Sequence, residues 1–220
     1  MATDSAAGVE VLDIVDDLGR HIGTKPRDAV HLDGDWHRVF HCQIVAERDG
    51  VPVAVLQRRS LQKAAFPGLL DISAAGHLAA GESPPDGVRE LEEELGVDID
   101  PAHLTFLGER RLVDDSGEGR LNRELTSVYL LRDDRPLSGY IIAEDEVASL
   151  VDVPIAALLE LLAGRIGELD IAGVSSPGHP HQSAFSATVT VADLVPGRDY
   201  WITLMVMAER FLRGESPLAI

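Results

Sequence analysis

The chain has 220 residues and a mass of 23.7 kDa, which fits one domain with extensions or at most two very small domains. Apolar residues make up 45% of it, so a large core can form and wholesale disorder is excluded. The 37 acidic and 19 basic side chains give a net charge of −18, which argues against nucleic-acid polymers and membranes as partners. A small anionic substrate stays compatible with this charge, because a divalent cation could mediate its binding.

Three features of the sequence concern the compartment. The single cysteine, Cys42, cannot form an internal disulfide, which fits a reducing environment. The first residues lack the basic and apolar regions of a signal peptide, and the apolar stretch at residues 200–208 is too short to span a bilayer. We therefore expect a cytoplasmic protein.

The elements predicted along the chain are mostly strands at first, with helices interspersed and then concentrated in the second half. Patterns typical of strands occur in five segments, namely residues 9–14, 38–46, 51–57, 103–113 and 124–132. The dipeptide Asp49-Gly50 separates the second and third segments and predicts a tight hairpin. Helices are predicted over three segments, namely residues 84–95, 155–163 and 197–213, and the stretch 173–183 is typical of a loop. This order favours an α/β fold with a mixed sheet over a purely parallel array.

The helix at residues 84–95 carries an unusual density of acidic side chains. Ser83 with Pro84 is a typical helix start, Asp86 completes an acidic capping box, and Gly96 is a typical stop. At about 100° per residue, Glu90, Glu93 and Glu94 share one face of this helix, and the leucines share another. Like charges at these spacings repel one another. The face is therefore either simply solvated or a site for a hard cation such as Mg²⁺ or Mn²⁺.

The residues around this helix favour the cation site. The chain has Gly76, then Glu82 after five residues, and then Arg89-Glu90-Leu91 after six more. Glu93-Glu94 and Gly96-Val97 follow, and this spaced pattern resembles the Nudix box. The usual box has seven residues between the first glutamate and the arginine, where this chain has six. Further similarity over residues 31–45, 57–82, 122–130 and 144–154 resembles a Nudix subgroup related to isopentenyl-diphosphate isomerase.

The resemblance implies a fold and a division of the chain. The Nudix family has an α/β/α sandwich with a mixed sheet, which would occupy residues 27–165 with the box at 76–97. Residues 1–26 would be an N-terminal extension with a short strand. Residues 166–220 would be a C-terminal extension with a loop and an apolar helix. That last helix must be buried against the domain or in an interface between two copies, and we favour a homodimer.

The resemblance also implies site residues. Nudix enzymes hydrolyse diphosphate linkages with divalent cations, here Mg²⁺ or Mn²⁺, and Glu90, Glu93 and Glu94 would hold them. Glu82 belongs to the same acidic set, and a backbone carbonyl near Gly76 would add a ligand. Arg89 would orient a glutamate by a charge-assisted hydrogen bond. Glu93, Glu94 and Arg89 are therefore expected in catalysis together with Glu146, which lies where many family members keep a catalytic base or a further ligand.

Other residues carry more than one interpretation. The isomerase family has a second metal site, and similar positions here hold four residues, namely His31, His37, His77 and Glu124. The histidines could equally be packed side chains, and Glu124 an exposed strand residue. Arg58 and Lys63 are expected to contact substrate phosphate, unless they are only surface charges. Cys42 is expected to be a small core residue.

The sequence therefore predicts a metal-dependent Nudix hydrolase that cleaves a diphosphate linkage in a nucleoside diphosphate derivative or a similar small diphosphate. The alternatives are a prenyl-diphosphate isomerase and a catalytically silent diphosphate-binding module. The isomerase needs a cysteine just before the glycine-histidine pair, where this chain has Ser73-Ala74-Ala75. Nucleoside diphosphates and triphosphates, nucleotide sugars, dinucleotides and prenyl diphosphates all stay open as substrates.

Overall fold

The computed structural model describes residues 9–117, 120–175 and 183–220. Its strands are β1 Val11–Val15, β2 His21–Pro26, β3 Trp36–Arg48, β4 Val51–Arg59, β5 Leu70–Asp71, β6 Ala74–His77, β7 Thr105–Gly117, β8 Arg120–Arg132, β9 Val147–Pro154, β10 Leu169–Ser175 and β11 Ser183–Val189. Its α-helices are α1 Arg27–Asp33, α2 Arg89–Leu95, α3 Ile155–Leu162 and α4 Arg198–Leu212. The chain divides into two compact units, which are described separately below.

The first unit comprises the described residues up to 40, then residues 76–87 and the described part of 109–127. Strands β1 and β2 form an antiparallel hairpin, and β1 also pairs with the start of β3, with Ile14 opposite His37. A small apolar cluster of Leu12, Ile14 and Val30 packs this hairpin against α1. Helix α1 ends at Gly34, whose φ of 70° lies in the left-handed region. This short helix and the adjoining strand bring two histidines of the sequence close together.

The second unit comprises residues 41–75, 88–108 and the described residues from 128 onwards. Its sheet runs β11, β10, β9, β4 and then the later part of β3, and each of these neighbouring pairs is antiparallel. Leu56 lies opposite Val151, and β5 adds Asp71 opposite Gln57 on the other edge of β4. A single parallel bridge joins Leu70 to Leu194. Strand β4 is therefore held by paired strands along its length.

The core of the second unit lies on one face of this sheet. Leu56 and Val151 are buried there in one cluster with Leu158 of α3 and Leu204 of α4. Because side chains alternate across a strand, Gln57 points to the opposite face, where its amide reaches Glu94 of α2. Helices of this unit therefore contact the sheet from both sides, which places the acidic helix against the centre of β4.

Most of the elements predicted from the sequence are confirmed, including the helices α3 and α4. At the predicted hairpin, Asp49 and Gly50 have φ values of 51° and 80°, as a tight turn of this type requires. The predicted helix over residues 84–95 begins differently, because Pro84–Val88 forms a 3₁₀ turn and the α-helix starts only at Arg89. Pro84 and Pro85, with Gly87 after the intervening Asp86, explain this, since prolines and glycine weaken regular α-helical hydrogen bonding.

The loop predicted over residues 173–183 is partly wrong. Residues 173–175 and 183 belong to β10 and β11, and residues 176–182 lie outside the described part of the chain. The two strands pair with Gly173 opposite Phe185, and small polar residues around them hide the strand signal in the sequence. Strand β2 and helix α1 were also not predicted. Across the described residues, no helix is long and apolar enough to cross a membrane.

Candidate active site

Helix α2 buries two of its glutamates along with its leucines. Leu91 and Leu95 are fully buried, while Glu90 and Glu94 retain only 9% and 2% of their exposure. Glu92 and Glu93 are exposed. The helix ends where Gly96, with a φ of 65°, donates its backbone N–H to the Glu92 carbonyl. The acidic run is therefore not a uniformly solvated face, because two carboxylates are withdrawn from water.

Arg89 links two of the carboxylates of this helix. Its Nη1 donates to Glu90 Oε1 at 2.6 Å and to Glu93 Oε2 at 3.0 Å. Such charge-assisted hydrogen bonds are among the stronger ones in proteins and fix the orientation of the acceptor. The orienting contact implied for Arg89 is thus present, and it involves two glutamates.

Glu94 is surrounded by groups from other parts of the second unit. Gln57 Nε2 donates to its Oε2 at 3.0 Å, and Lys63 Nζ lies 3.6 Å from its Oε1. Lys63 also donates to Glu146 Oε2. These contacts bring Glu94 and Glu146, which are 52 residues apart in the chain, to a common ammonium group.

Burial perturbs the acidity of the two withdrawn glutamates. It raises the pKa of Glu94 to about 8, against the opposing effect of Lys63. It raises the pKa of Glu90 to about 7, against the opposing effect of Arg89. A buried carboxylate is costly unless a positive charge compensates it. Carboxylate oxygens in this setting fit a hard divalent cation, so the donor set suits Mg²⁺ or Mn²⁺.

The two arginines at the end of β4 bond to the loop at residues 60–69 and to the strand that follows it. Arg58 Nη1 donates to the Gly68 carbonyl at 2.7 Å. Arg59 donates to the Ala65 carbonyl and, through Nη1, to Asp71 Oδ2 at 2.8 Å. These bonds brace the loop that presents Lys63. Of the two residues predicted to contact phosphate, Lys63 lies beside the carboxylates, whereas Arg58 holds the loop.

Three histidines form a compact cluster in the first unit. The ring centroids of His31, His37 and His77 are 5.0–5.2 Å apart, and their nearest ligand atoms lie within 4.8 Å of one another. The Nδ1 atoms of His31 and His37 face backbone carbonyls, to which they can donate, while His77 Nδ1 lies 3.7 Å from Glu10. The buried Nε2 of His37 has no hydrogen-bond partner among the described residues. Burial lowers the pKa of His37 to about 4, so this ring is neutral and can act as a metal ligand.

The remaining predicted residues also lie in the first unit. Glu124 of β8 is buried and accepts a hydrogen bond from Asn122 at 2.6 Å. Glu82 Oε2 accepts from the backbone N–H of Ala79 at 2.7 Å, which closes the turn before the acidic helix. Gly76 lies in β6, directly before His77.

Two side-chain contacts of the second unit were not predicted from the sequence. Gln57 directly follows an apolar run, Val53–Leu56, and a polar residue at that position was the available signal in the sequence. The structure shows that its amide is fully buried. His41 pairs through Nδ1 with the Tyr200 hydroxyl at 2.9 Å, which no local pattern could indicate because the two residues are 159 positions apart. Cys42 is buried in β3, as expected for a core residue.

Comparison with known proteins decides the family. The NUDIX domain model matches residues 35–169, which is more than half of the chain. The chain belongs to the Nudix family. A Nudix hydrolase of Clostridium acetobutylicum is 33% identical over 199 residues, which cover 90% of this chain and 96% of that protein. The chain is accordingly a Nudix hydrolase, an enzyme acting on phosphorus-containing anhydrides.

Further relatives agree with the predicted subgroup and fold. The isopentenyl-diphosphate delta-isomerase of Mycolicibacterium vanbaalenii is 33% identical over 154 residues, which cover 69% of this chain and 80% of that protein. A crystal structure from Deinococcus radiodurans matches with a TM-score of 0.52 and 24% identity, covering 70% of this chain and 90% of that one. The Nudix fold and the likeness to isomerase-related Nudix proteins are thus confirmed.

Proposed function

We propose that this Nudix hydrolase uses Mg²⁺ or Mn²⁺ to cleave the diphosphate linkage of a nucleoside diphosphate derivative or a similar small diphosphate. The observation that carries the proposal is the pair of buried carboxylates on α2, Glu90 and Glu94, with Glu93 joined to Glu90 through Arg89. Nudix enzymes generally use divalent metals, and this donor set is the kind that such cations select.

Each side chain has a distinct task in this proposal. Glu90, Glu93 and Glu94 would hold the cations, and Arg89 keeps two of them oriented. When bound, the cations supply neutralisation of the diphosphate charge and a lowered pKa for a coordinated water. Glu146, whose side chain is 42% exposed and held by Lys63, would accept the proton of the attacking water. Glu82 and the Gly76 carbonyl are proposed as further ligands.

The histidine cluster supports a second metal site within the same protein. Three imidazole rings have ligand atoms within 4.8 Å of one another, and the buried Nε2 of one has no hydrogen-bond partner in the described part of the chain, which fits a cation that accepts nitrogen ligands. His31, His37 and His77 would be its ligands, and Glu124 is proposed as a fourth.

The cytoplasmic location, the homodimer and the division of the chain with a Nudix domain at residues 27–165 stay predictions.

Specific residues argue against the two alternatives, the prenyl-diphosphate isomerase and the catalytically silent module. The isomerase reaction needs a proton donor where Ser73, Ala74 and Ala75 stand, and Cys42 is fully buried in a strand. A catalytically silent module has no need of the intact carboxylate set on α2. The hydrolase therefore accounts for more of the observed residues than either alternative.

The test is a substrate panel with and without Mg²⁺ or Mn²⁺, comparing wild type with Glu94→Gln. The panel contains nucleoside diphosphates and triphosphates, nucleotide sugars, dinucleotides and prenyl diphosphates. Removing a metal carboxylate is expected to lower the rate on the order of a thousandfold, equivalent to about 4 kcal/mol of transition-state stabilisation. Glu92→Gln is the matched control, because Glu92 is an exposed glutamate of the same helix.

Three results would contradict the proposal. Full activity in Glu94→Gln would refute the assigned role of this carboxylate. Tight binding of one diphosphate with no metal-dependent turnover would favour the silent module. Interconversion of isopentenyl and dimethylallyl diphosphates would favour the isomerase.

A further inference from the structure

The buried amide of Gln57 has one feature that its role in the fold does not explain. Its Nε2 donates to Glu94 Oε2, whereas its Oε1 is buried without a hydrogen-bond partner among the described residues. The residue is fully buried in a run of apolar strand residues. A buried amide that makes one hydrogen bond to a side chain and leaves its oxygen unpaired contributes little to stability, because an apolar side chain of similar size avoids the cost of the unpaired oxygen.

The main chain of Glu94 is already fixed without Gln57. Ala143 donates its backbone N–H to the Glu94 carbonyl at 3.0 Å, and Ile141 donates to the Leu95 carbonyl at 2.9 Å. Among the described residues, two donors lie close enough to the side chain of Glu94 to set its orientation. Lys63 lies 3.6 Å away, beyond hydrogen-bond distance, on a long flexible stem. Gln57 makes the hydrogen bond, from a strand paired on both sides.

We propose that Gln57 is a positioning residue that orients the Glu94 carboxylate for binding a divalent cation. By holding Oε2, the amide leaves Oε1 directed toward the side on which Lys63 and Glu146 meet. Groups that hydrogen-bond a metal ligand fix its rotamer before the cation arrives, which lowers the cost of binding. This role rests on the proposed metal-dependent function and adds the residue that prepares its most buried ligand.

The test measures Mn²⁺ binding directly, from the electron paramagnetic resonance signal of free Mn²⁺ without substrate. Gln57→Met keeps the side-chain length and removes the donor. Loss of a group supporting a metal ligand typically costs roughly 10- to 100-fold in metal affinity. We expect Gln57→Met to weaken Mn²⁺ binding within this range and to lower kcat by a similar factor. The urea concentration at the midpoint of unfolding, measured with a chelator present, should be unchanged or higher.

Gln43 provides a matched control in the same unit. It is also fully buried, and its Oε1 likewise has no hydrogen-bond partner among the described residues, but its Nε2 lies within hydrogen-bond distance of three groups, the Ile44 carbonyl at 2.7 Å, the Val55 carbonyl at 2.9 Å and Ser73 Oγ at 3.0 Å. These bonds join β3 to its neighbours and make no contact with the carboxylates. Gln43→Met should therefore show the opposite pattern, a lower urea midpoint and an unchanged Mn²⁺ affinity.

A double-mutant cycle with Glu94→Gln separates positioning from a general structural effect. If Gln57 acts through Glu94, Gln57→Met has no further effect on Mn²⁺ binding once Glu94 is replaced. An equal effect in both backgrounds overturns the proposal, and so does a Gln57→Met affinity within twofold of wild type. Should Gln57→Met fail to fold, Gln57→Asn, which withdraws the amide by one methylene, is judged by the same criteria.

Different results would refute the proposed function and the role of Gln57. A wild-type protein that neither binds Mn²⁺ nor hydrolyses any diphosphate refutes the proposed function, and the role of Gln57 with it. A wild-type protein that does both, alongside an unaffected Gln57→Met variant, refutes only the role of Gln57.

Discussion

Replacing Glu94 by glutamine should stabilise the metal-free protein at alkaline pH while it removes activity. The carboxyl is 2% exposed, and its pKa is about 8 in the folded protein against an ordinary value of 4.5. A carboxyl with a raised folded pKa keeps its proton in the folded state and loses it on unfolding. The free energy of unfolding therefore falls as the pH rises from the ordinary pKa of 4.5 to the folded pKa of about 8. Glutamine at this position still accepts the hydrogen bond from Gln57 but does not titrate.

The size of the stability difference follows from the gap between the pKa of Glu94 in the folded and unfolded states. One proton contributes about 1.4 kcal/mol for each pH unit, so a shift of roughly three units corresponds to a few kcal/mol at pH 8. Glu90 titrates in an overlapping pH range, so the free energy of unfolding of Glu94→Gln also falls with pH, but less steeply than that of wild type. His37 acts in the opposite direction, because its lowered pKa costs stability as the pH falls below about 6.5. Its effect is common to both proteins and cancels in their difference.

The assay is urea unfolding in chelator at several pH values between 4.5 and 8.5. We expect the two proteins to coincide near pH 4.5 and Glu94→Gln to exceed wild type by a few kcal/mol near pH 8. Glu92→Gln, at an exposed position of the same helix, should follow wild type throughout. Parallel curves for wild type and Glu94→Gln would contradict this prediction, because they would show that burial does not perturb the Glu94 carboxyl.

Two further substitutions and one labelling experiment test other parts of the structure. Gly87→Ala should lower the free energy of unfolding by about 1–3 kcal/mol, because its Cβ would lie 2.5 Å from the buried Phe40 side chain; Gly167→Ala, with open space around it, is the control. His37→Ala should remove one bound Mn²⁺ or Zn²⁺ per chain in equilibrium dialysis, and an unchanged count would refute the second metal site. Cys42 should resist iodoacetamide until the protein unfolds, because burial raises the pKa of its thiol; rapid labelling of folded protein would contradict this.

The sequence predicted those parts of the candidate site that depend on local spacing. Glu90, Glu93 and Glu94 fall together because residues three and four apart share a helix face. Asp49-Gly50 forms the expected turn because few dipeptides adopt positive φ at both positions. The box pattern added the family, because it specifies chemistry at fixed positions within one short segment. Such features need only the residues nearest in the chain.

The tertiary structure decided which of these side chains are buried and what they contact. The spacing of the acidic run alone left a solvated face and a cation site equally open, and the packing of α2 against β4 withdrew Glu90 and Glu94 from water. Lys63, predicted for phosphate, joins Glu94 and Glu146 because the braced loop after β4 presents it there.

The kind of chemistry could therefore be predicted from the sequence alone, since the order of residues along one helix sets which of its carboxylates share a face. The contacts that these groups make with distant parts of the chain became known only from the three-dimensional structure. His31, His37 and His77 come from a helix and two strands, and Gln57 reaches Glu94 across 37 positions. Contacts of this range depend on how strands pair and which faces pack together, and no local periodicity encodes them.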